Sequence, residues 1–394
     1  FAERCAGLGD FVGRYFMTFP ATEYQERVGR AQVMMAQSGL DALLLTTEPE
    51  LRYFTGFLTR FWESPARPWF LIVPAHGNPI AVIPSIGAAL MGQSWISDIR
   101  TWRAPDYVDD GIGLLAETIR EIGAKTIGIP DGIETHLRMP IADFRVLQGL
   151  LGSKIGGDAG IMRRLRMVKS EAEIAVITRA CAVANRAFAR VHEIAWVGVP
   201  LSEVFRKFQM LCLDEGADWV PYLAGGAGQG GYGDVISPAT DTPLKEGDVL
   251  MLDTGLVVDG YFCDFDRNFA IGSASEATQA AHEKLSDAVE AAMAIAKVGA
   301  TAAELFHAMD RIVTGGAGGS DAGRLGHGLG MQLTEWPSLL PADQTVLGAG
   351  MVLTLEPGIE VGGGLILVGE ENIVIEEAGA RYLSKPAPRR MPVL

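Results

Sequence analysis

Three apolar stretches in the second half of this 394-residue chain each close on a carboxylate: VLML on Asp253, VLTL on Glu356 and LILVG on Glu370. Runs of that kind read as strands headed for a core, where an ionised acid is costly unless it is paired. Asp264 lies eleven residues beyond Asp253, past Gly260-Tyr261, which read as a hairpin turn and the start of its return strand. His327 sits in Gly326-His327-Gly328-Leu329-Gly330, between glycines that let the backbone approach an ion closely. Taken singly, each acid has an ordinary explanation as a turn former or surface charge, and His327 as a satisfied structural histidine. Together they require either protonation or a positive partner. Divalent metal ions meet that need. Four carboxylates and one imidazole suit Mn, Fe, Co or Zn, and Asp253, Asp264, His327, Glu356 and Glu370 supply enough ligands for two ions sharing bridging carboxylates.

The first half of the chain interleaves strands and helices. Apolar residues at helical spacing run over 24–39, short β-like runs cover 41–46, 69–74 and 79–83, and a helix over 113–123 is followed by a strand over 126–129. Such alternation makes a packed α/β domain, with or without chemistry of its own. The texture changes near 161–170. Ser170, followed three residues later by Glu173, is a capping box that opens a long helix, so the boundary is expected around residue 160, giving domains 1–160 and 161–394. The second domain reads as a β-rich sheet backed by helices at 201–215, 276–297 and 301–314. Its glycine-rich stretch 225–233 lacks the G-K-[ST] ending of a phosphate loop and reads as a flexible loop lining a cleft.

A net charge of −15 with no basic cluster makes nucleic acid and anionic membrane surfaces poor partners. No apolar run reaches the ~18–20 residues that a membrane span needs. The four cysteines lie far apart without a C-x-x-C, as free thiols of a reducing compartment do. With no signal-peptide pattern, the cytoplasm is the expected location.

Four segments carry a family likeness: LDTGLVVDGYFCDFDRNF (252–269), LGHGLGM around His327, LEPG around Glu356 and VGEENIVIEEAG around Glu370. Their order and separations resemble those of the pita-bread M24 metallopeptidase family, on the branch of aminopeptidase P, prolidase and creatinase. Upstream, LRYFTGF (51–57) is similar to the family's Y-L-T-G-F element, and LRMVKSEAEIAVI resembles the junction into its catalytic domain. The resemblance implies an α+β fold: a pita-bread catalytic domain preceded by a smaller creatinase-like α/β N-terminal domain. It implies that Asp253 and Asp264 are the ligands of the D-x-G…G-Y-x-x-D-x-x-R element, that His327 is the histidine ligand, and that Glu356 is both ligand and general base. Registering the last hairpin on Gly379 assigns the remaining ligand to Glu370 and not to Glu371. The implied reaction is hydrolysis of a C–N bond, amide or Xaa-Pro-like, in a small-molecule or dipeptide-like substrate, through a hydroxide bridging two divalent ions. The implied assembly is a homodimer.

The pattern breaks in three places. Where the family's peptidases carry a second histidine, seven residues after the first, this chain has Thr334. The stretch GYGDVISPATDTPLKEGD, where a third histidine normally falls, has none. Those histidines help to stabilise an oxyanion, a contribution of about 2.7–4 kcal/mol per donor, so Thr334, Tyr232 or Asp234 would have to compensate. The family's arginine two residues before the last glutamate is replaced by Val368. Similar losses occur in the family's dimethylsulfoniopropionate lyase, whose E-W-P resembles Glu335-Trp336-Pro337 here and draws attention to Trp336 as a substrate contact. The lyase carries an Asp where this chain has Thr334, so its proton-abstracting carboxylate is missing here, and elimination on a small zwitterion is kept only as the alternative to hydrolysis. A non-catalytic binding protein is a third reading, disfavoured by the intact ligand set. FLTRFWESPARPWF (57–70) gathers Trp62 and other aromatics with Arg60 and Arg67. Aromatic faces attract cations and arginines clamp carboxylates, so this segment either contacts substrate or packs a dimer interface.

Overall fold

The computed structural model describes residues 17–64, 68–152, 154–319 and 323–394. The chain forms two compact units, the first ending at Leu165 and the second running Arg166–Leu394.

The first unit is built on a six-stranded mixed sheet. Its strands are β1 (Ala42–Leu45), β2 (Phe70–Pro74), β3 (Ile80–Pro84), β4 (Asp98–Trp102), β5 (Thr126–Ile129) and β6 (Lys154–Gly157), in the order β4-β3-β2-β1-β5-β6. Every residue of β1, β2 and β3 is buried, which is why these strands read as unbroken apolar runs. The helices Ile112–Glu121 and Ile141–Leu151 pack Leu115, Ile119 and Leu147 into one core with Leu44, Ile72 and Val82. Strands β4 and β6 escape the sequence reading. DIRTW is only partly buried, and KIGG carries two glycines, so neither shows an apolar run.

The second unit opens with the helix Glu171–Ala189, capped as the sequence leads one to expect: Ser170 Oγ accepts from Glu173 N at 3.3 Å, and Glu173 Oε2 accepts from Ser170 N at 3.0 Å. The helices Leu201–Asp214, Glu276–Met293 and Ala302–Val313 follow. One sheet holds β7 (Trp219–Gln229), β8 (Asp248–Val258), β9 (Tyr261–Phe262) and β10 (Phe265–Ala270), with β8 between β7 and β10 and β9 paired to β8. After β11 (His327–Gly328), β12 (Glu335–Ser338) and β13 (Val352–Leu355) comes a hairpin of β14 (Gly358–Gly362) and β15 (Leu365–Val368). The chain then adds β16 (Glu371–Glu376) and β17 (Gly379–Tyr382), giving a second sheet in the order β12-β11-β13-β16-β17. Leu285, Val289, Leu305 and Phe306 of two helices share a core with Leu353, Leu355, Ile373 and Ile375 of β13 and β16.

The glycine-rich stretch is not the loop expected from the sequence. Through Gln229 it is strand, paired with β8 from Ala224 opposite Asp253 to Gln229 opposite Asp248. A Cβ at Gly225, whose φ is +139°, would stand 2.1 Å from Met251 O. Glycine is therefore what lets the two strands approach. Cys181, Cys212 and Cys263 are buried free thiols, and Cys5 lies outside the described residues. No helix among the described residues is long and apolar enough to cross a membrane.

Candidate metal centre

The two larger sheets of the second unit contribute to one cluster of acids. Asp253 stands in the middle of β8, not at the end of a strand as its apolar prefix suggests, because the strand continues through 254–258. Asp264 occupies the link between β9 and β10. His327 opens β11, Glu356 follows the last residue of β13, and Glu370 precedes the first of β16. Since Leu355 pairs with Glu371 across antiparallel strands, the two glutamates emerge at the same end of that sheet.

Local hydrogen bonds aim these groups. His327 Nδ1 bonds the Gly328 carbonyl at 2.8 Å, which in the neutral ring leaves the lone pair on Nε2. That nitrogen lies 3.5 Å from Asp264 Oδ2 and 3.3 Å from Glu356 Oε1. The Thr354 hydroxyl accepts from His327 N and donates to Glu356 Oε1, both at 2.9 Å, and so ties two of the residues together. Glu356 N donates to Leu325 O at 3.1 Å. Asn372, on β16, holds the Asp264 backbone from both sides: its Oδ1 accepts from Asp264 N at 3.0 Å and its Nδ2 donates to Asp264 O. The Tyr222 hydroxyl donates to Asp253.

What these bonds leave over is the signature of the site. Asp253 Oδ1, Asp264 Oδ1 and Glu370 Oε1 are buried and have no hydrogen-bond partner. Asp264, His327 and Glu370 each bring a ligand atom to within 4.8 Å of the others. Burial pushes the carboxyls of Asp253 and Glu356 up to about 7, with the Glu356 charge adding to the rise at Asp253. Asp264 and Glu370 are raised well above the usual range by burial first and then by the neighbouring carboxylates. Unsatisfied buried acids converging on an imidazole lone pair fit a divalent cation bound by oxygen and nitrogen donors.

The remaining predicted residues fare differently. Thr334 Oγ1 accepts from Arg324 at 3.3 Å, and the Arg324 charge also acts on Asp264 and Glu356. Asp234 is exposed and not gathered with the acids. Its carboxylate caps its own turn, accepting from Ile236 N, Ser237 N and Ser237 Oγ. Tyr232 is enclosed in the core, its hydroxyl bonded to Asn268 Oδ1 and Val368 N, so it pins β15 and is closed to a substrate. Trp336 is likewise buried, with Arg166 over its ring at 5.9 Å. Trp62 and Arg60 belong to the first unit. Arg138 lies 5.0 Å over the Trp62 ring, where a substrate cation was expected, and Arg60 faces Glu63 at 3.7 Å. Arg67 lies outside the described residues.

Several functional neighbours carry no clear sequence signal. Arg324, Asn372 and Tyr222 lie outside any apolar run that ends on an acid. Asp266 stands two residues past Asp264, next to Arg267, and ends no apolar run. Glu335, in E-W-P, forms a buried triad with Arg166 and Lys169 at 2.5 and 3.0 Å and also accepts from Gln332 N. It thereby braces the loop between His327 and β12.

Comparison with known proteins agrees with this geometry. Residues 175–378 match Metallopeptidase family M24, and residues 27–168 match the Creatinase/Prolidase N-terminal domain. The chain is 29% identical over 366 residues to the Mycobacterium tuberculosis protein named "Probable dipeptidase PepE", covering 92% of this chain and 94% of that one. It is 27% identical over 368 residues to the Xaa-Pro dipeptidase of Pyrococcus horikoshii, covering 91% and 97%. The crystal structure of dipeptidase PepE from Mycobacterium ulcerans superposes with a TM-score of 0.82 at 28% identity, covering 95% and 99%. None of these relatives is named as a lyase, and the elimination reading finds no support among them. With over half of the chain matched, the protein belongs to metallopeptidase family M24, a metal-dependent hydrolase with a pita-bread catalytic unit behind a creatinase-type N-terminal domain.

Proposed function

We propose that this protein is a dipeptidase of the Xaa-Pro type that works with a pair of divalent ions held by Asp253, Asp264, His327, Glu356 and Glu370. The observation that carries the reading is the cluster of Asp264, His327 and Glu370, whose ligand atoms lie within 4.8 Å of one another, together with buried, unpartnered oxygens on Asp253, Asp264 and Glu370. Oxygen and imidazole donors without thiolate suit Mn, Fe, Co or Zn. When bound, such ions polarise the scissile carbonyl and acidify water.

The chain's own residues do the rest. The Glu356 side chain is 24% exposed against 5% for that of Asp264, so of these two it is the acid that an entering substrate can reach. As general base it takes a proton from the attacking water and passes it to the leaving amine. The Thr354 hydroxyl fixes its Oε1 for that task. Thr334 stands where related peptidases have a histidine, and Arg324 brings a guanidinium to it. A fixed positive charge there suits a dipeptide's carboxylate or the charge developing on its carbonyl. Near full-length likeness to proteins named as dipeptidase and Xaa-Pro dipeptidase supports a dipeptide substrate. The proposal includes a cytoplasmic homodimer, which sedimentation would check.

The test is proline release from Xaa-Pro dipeptides by metal-loaded protein. We expect turnover that chelation abolishes and that Glu356→Gln lowers in kcat by about 10²–10⁴-fold. Loaded protein that binds metal yet releases no amino acid from any dipeptide would contradict the assignment.

A further inference from the structure

Strand β10 carries an acid that the ligand set leaves unused. Asp266 is 2% exposed. In the antiparallel pairing of β8 and β10 it stands directly opposite Asp253, so the two side chains leave the same face of the sheet with Cβ atoms about 4.5–5.5 Å apart. Its Oδ1 accepts from Glu370 N at 3.1 Å. Its Oδ2 is buried without a hydrogen-bond partner. The adjacent Arg267 does not explain this acid. Alternation along the strand sends its side chain to the other face, where the guanidinium binds the Asp266 and Glu370 carbonyls and the Glu371 carboxylate. Asn268, two residues on, gives its amide to Val368 O and accepts from Tyr232.

Asp266 therefore grips the backbone of one metal residue and faces the side chain of another, with a buried oxygen to spare. A solvated or salt-bridged acid would show exposure or a cation on that oxygen, and neither is present among the described residues. We propose that Asp266 is a sixth anchoring residue of the metal centre, a positioning carboxylate that holds Glu370 through Oδ1 and presents Oδ2 on the same side as Asp253.

The inference rests on the metal-dependent reading, and its test separates the two. Mn²⁺ affinity is measured by electron paramagnetic resonance on chelator-stripped wild type, Asp266→Asn and Asp266→Ala, together with the Tm of each stripped protein. Asp266→Asn is expected to weaken Mn²⁺ binding by about 10–100-fold with the stripped Tm kept, since the amide oxygen can still accept from Glu370 N. Affinity within about twofold of wild type with a lower Tm would mark Asp266 as purely structural and overturn the proposal. Should the alanine variant fail to fold, the near-isosteric asparagine decides. Wild type that binds no Mn²⁺ sinks both readings. Wild type that binds it without cleaving dipeptides sinks the peptidase reading alone and leaves the variant affinities to judge Asp266.

Discussion

Asp253, Asp264, Glu356 and Glu370 all have folded-state pKa values above those of free carboxylates, Asp253 and Glu356 at about 7 and the other two raised well above the usual range by burial. In the unfolded chain these groups titrate near ~4. Between the two values the stripped, folded protein holds protons that the unfolded chain has released. Its stability therefore falls as pH rises through that window. Metal displaces the same protons, so its stabilising effect grows with pH. Calorimetry from about pH 5 to 7.5 should show the stripped Tm falling while the increment from added Mn²⁺ widens. A stripped Tm that is flat or rising across that range would contradict the account. At this scale the sequence was most legible where an acid interrupts apolar texture, as at Asp253, Glu356 and Glu370. It was silent on Asp266, whose neighbour Arg267 offers a ready but false partner. Tyr232 and Trp336 lie beside the motifs in sequence, yet their burial depends on packing from distant segments and could not be read locally.

Among the elements, the connection between β11 and β12 shows how a charged residue can serve the site from a distance. Glu335 is fully enclosed with Arg166 and Lys169, whose charges, against the cost of burial, hold its carboxyl down to about 2. Removing the anion leaves two buried cations without it. Glu335→Gln is expected to destabilise the fold by about 3–5 kcal/mol, read from urea midpoints, and to loosen His327 with it. A loss under about 1 kcal/mol would show the triad to be no more than a surface-grade ion pair. The helix start at Ser170 and Glu173 was legible because capping is local, and the structure shows the same device at Thr301 and Glu304. The strand β7 was not, because its glycines answer to the closeness of β8 and not to any pattern along their own segment. The same reason hides Asn372, whose grip on Asp264 joins one sheet to the other.

At the scale of the whole molecule, the second unit brings together acids that no short stretch of chain could assemble. Two come from the first sheet and two, with His327, from the second. The hydrophobic core formed by the helices Glu276–Met293 and Ala302–Val313 against β13 and β16 holds that second set in place, so burial of apolar surface supports a site that is electrostatically unfavourable until cations enter. The coarse architecture of both units was readable from alternating periodicity and from the family likeness. For Trp62 and Arg60 the residue types were readable without their neighbours: Arg138 lies over the Trp62 ring and Glu63 faces Arg60, contacts set by packing that no local pattern encodes. The central claim is that the acids are protonated without metal and exchange those protons for divalent ions. Titration calorimetry of Mn²⁺ into stripped protein near pH 6.5, repeated in two buffers of different ionisation enthalpy, measures that exchange directly. The account predicts uptake of a pair of ions with a net release of protons; saturable binding without proton release, or no binding at all, would contradict it.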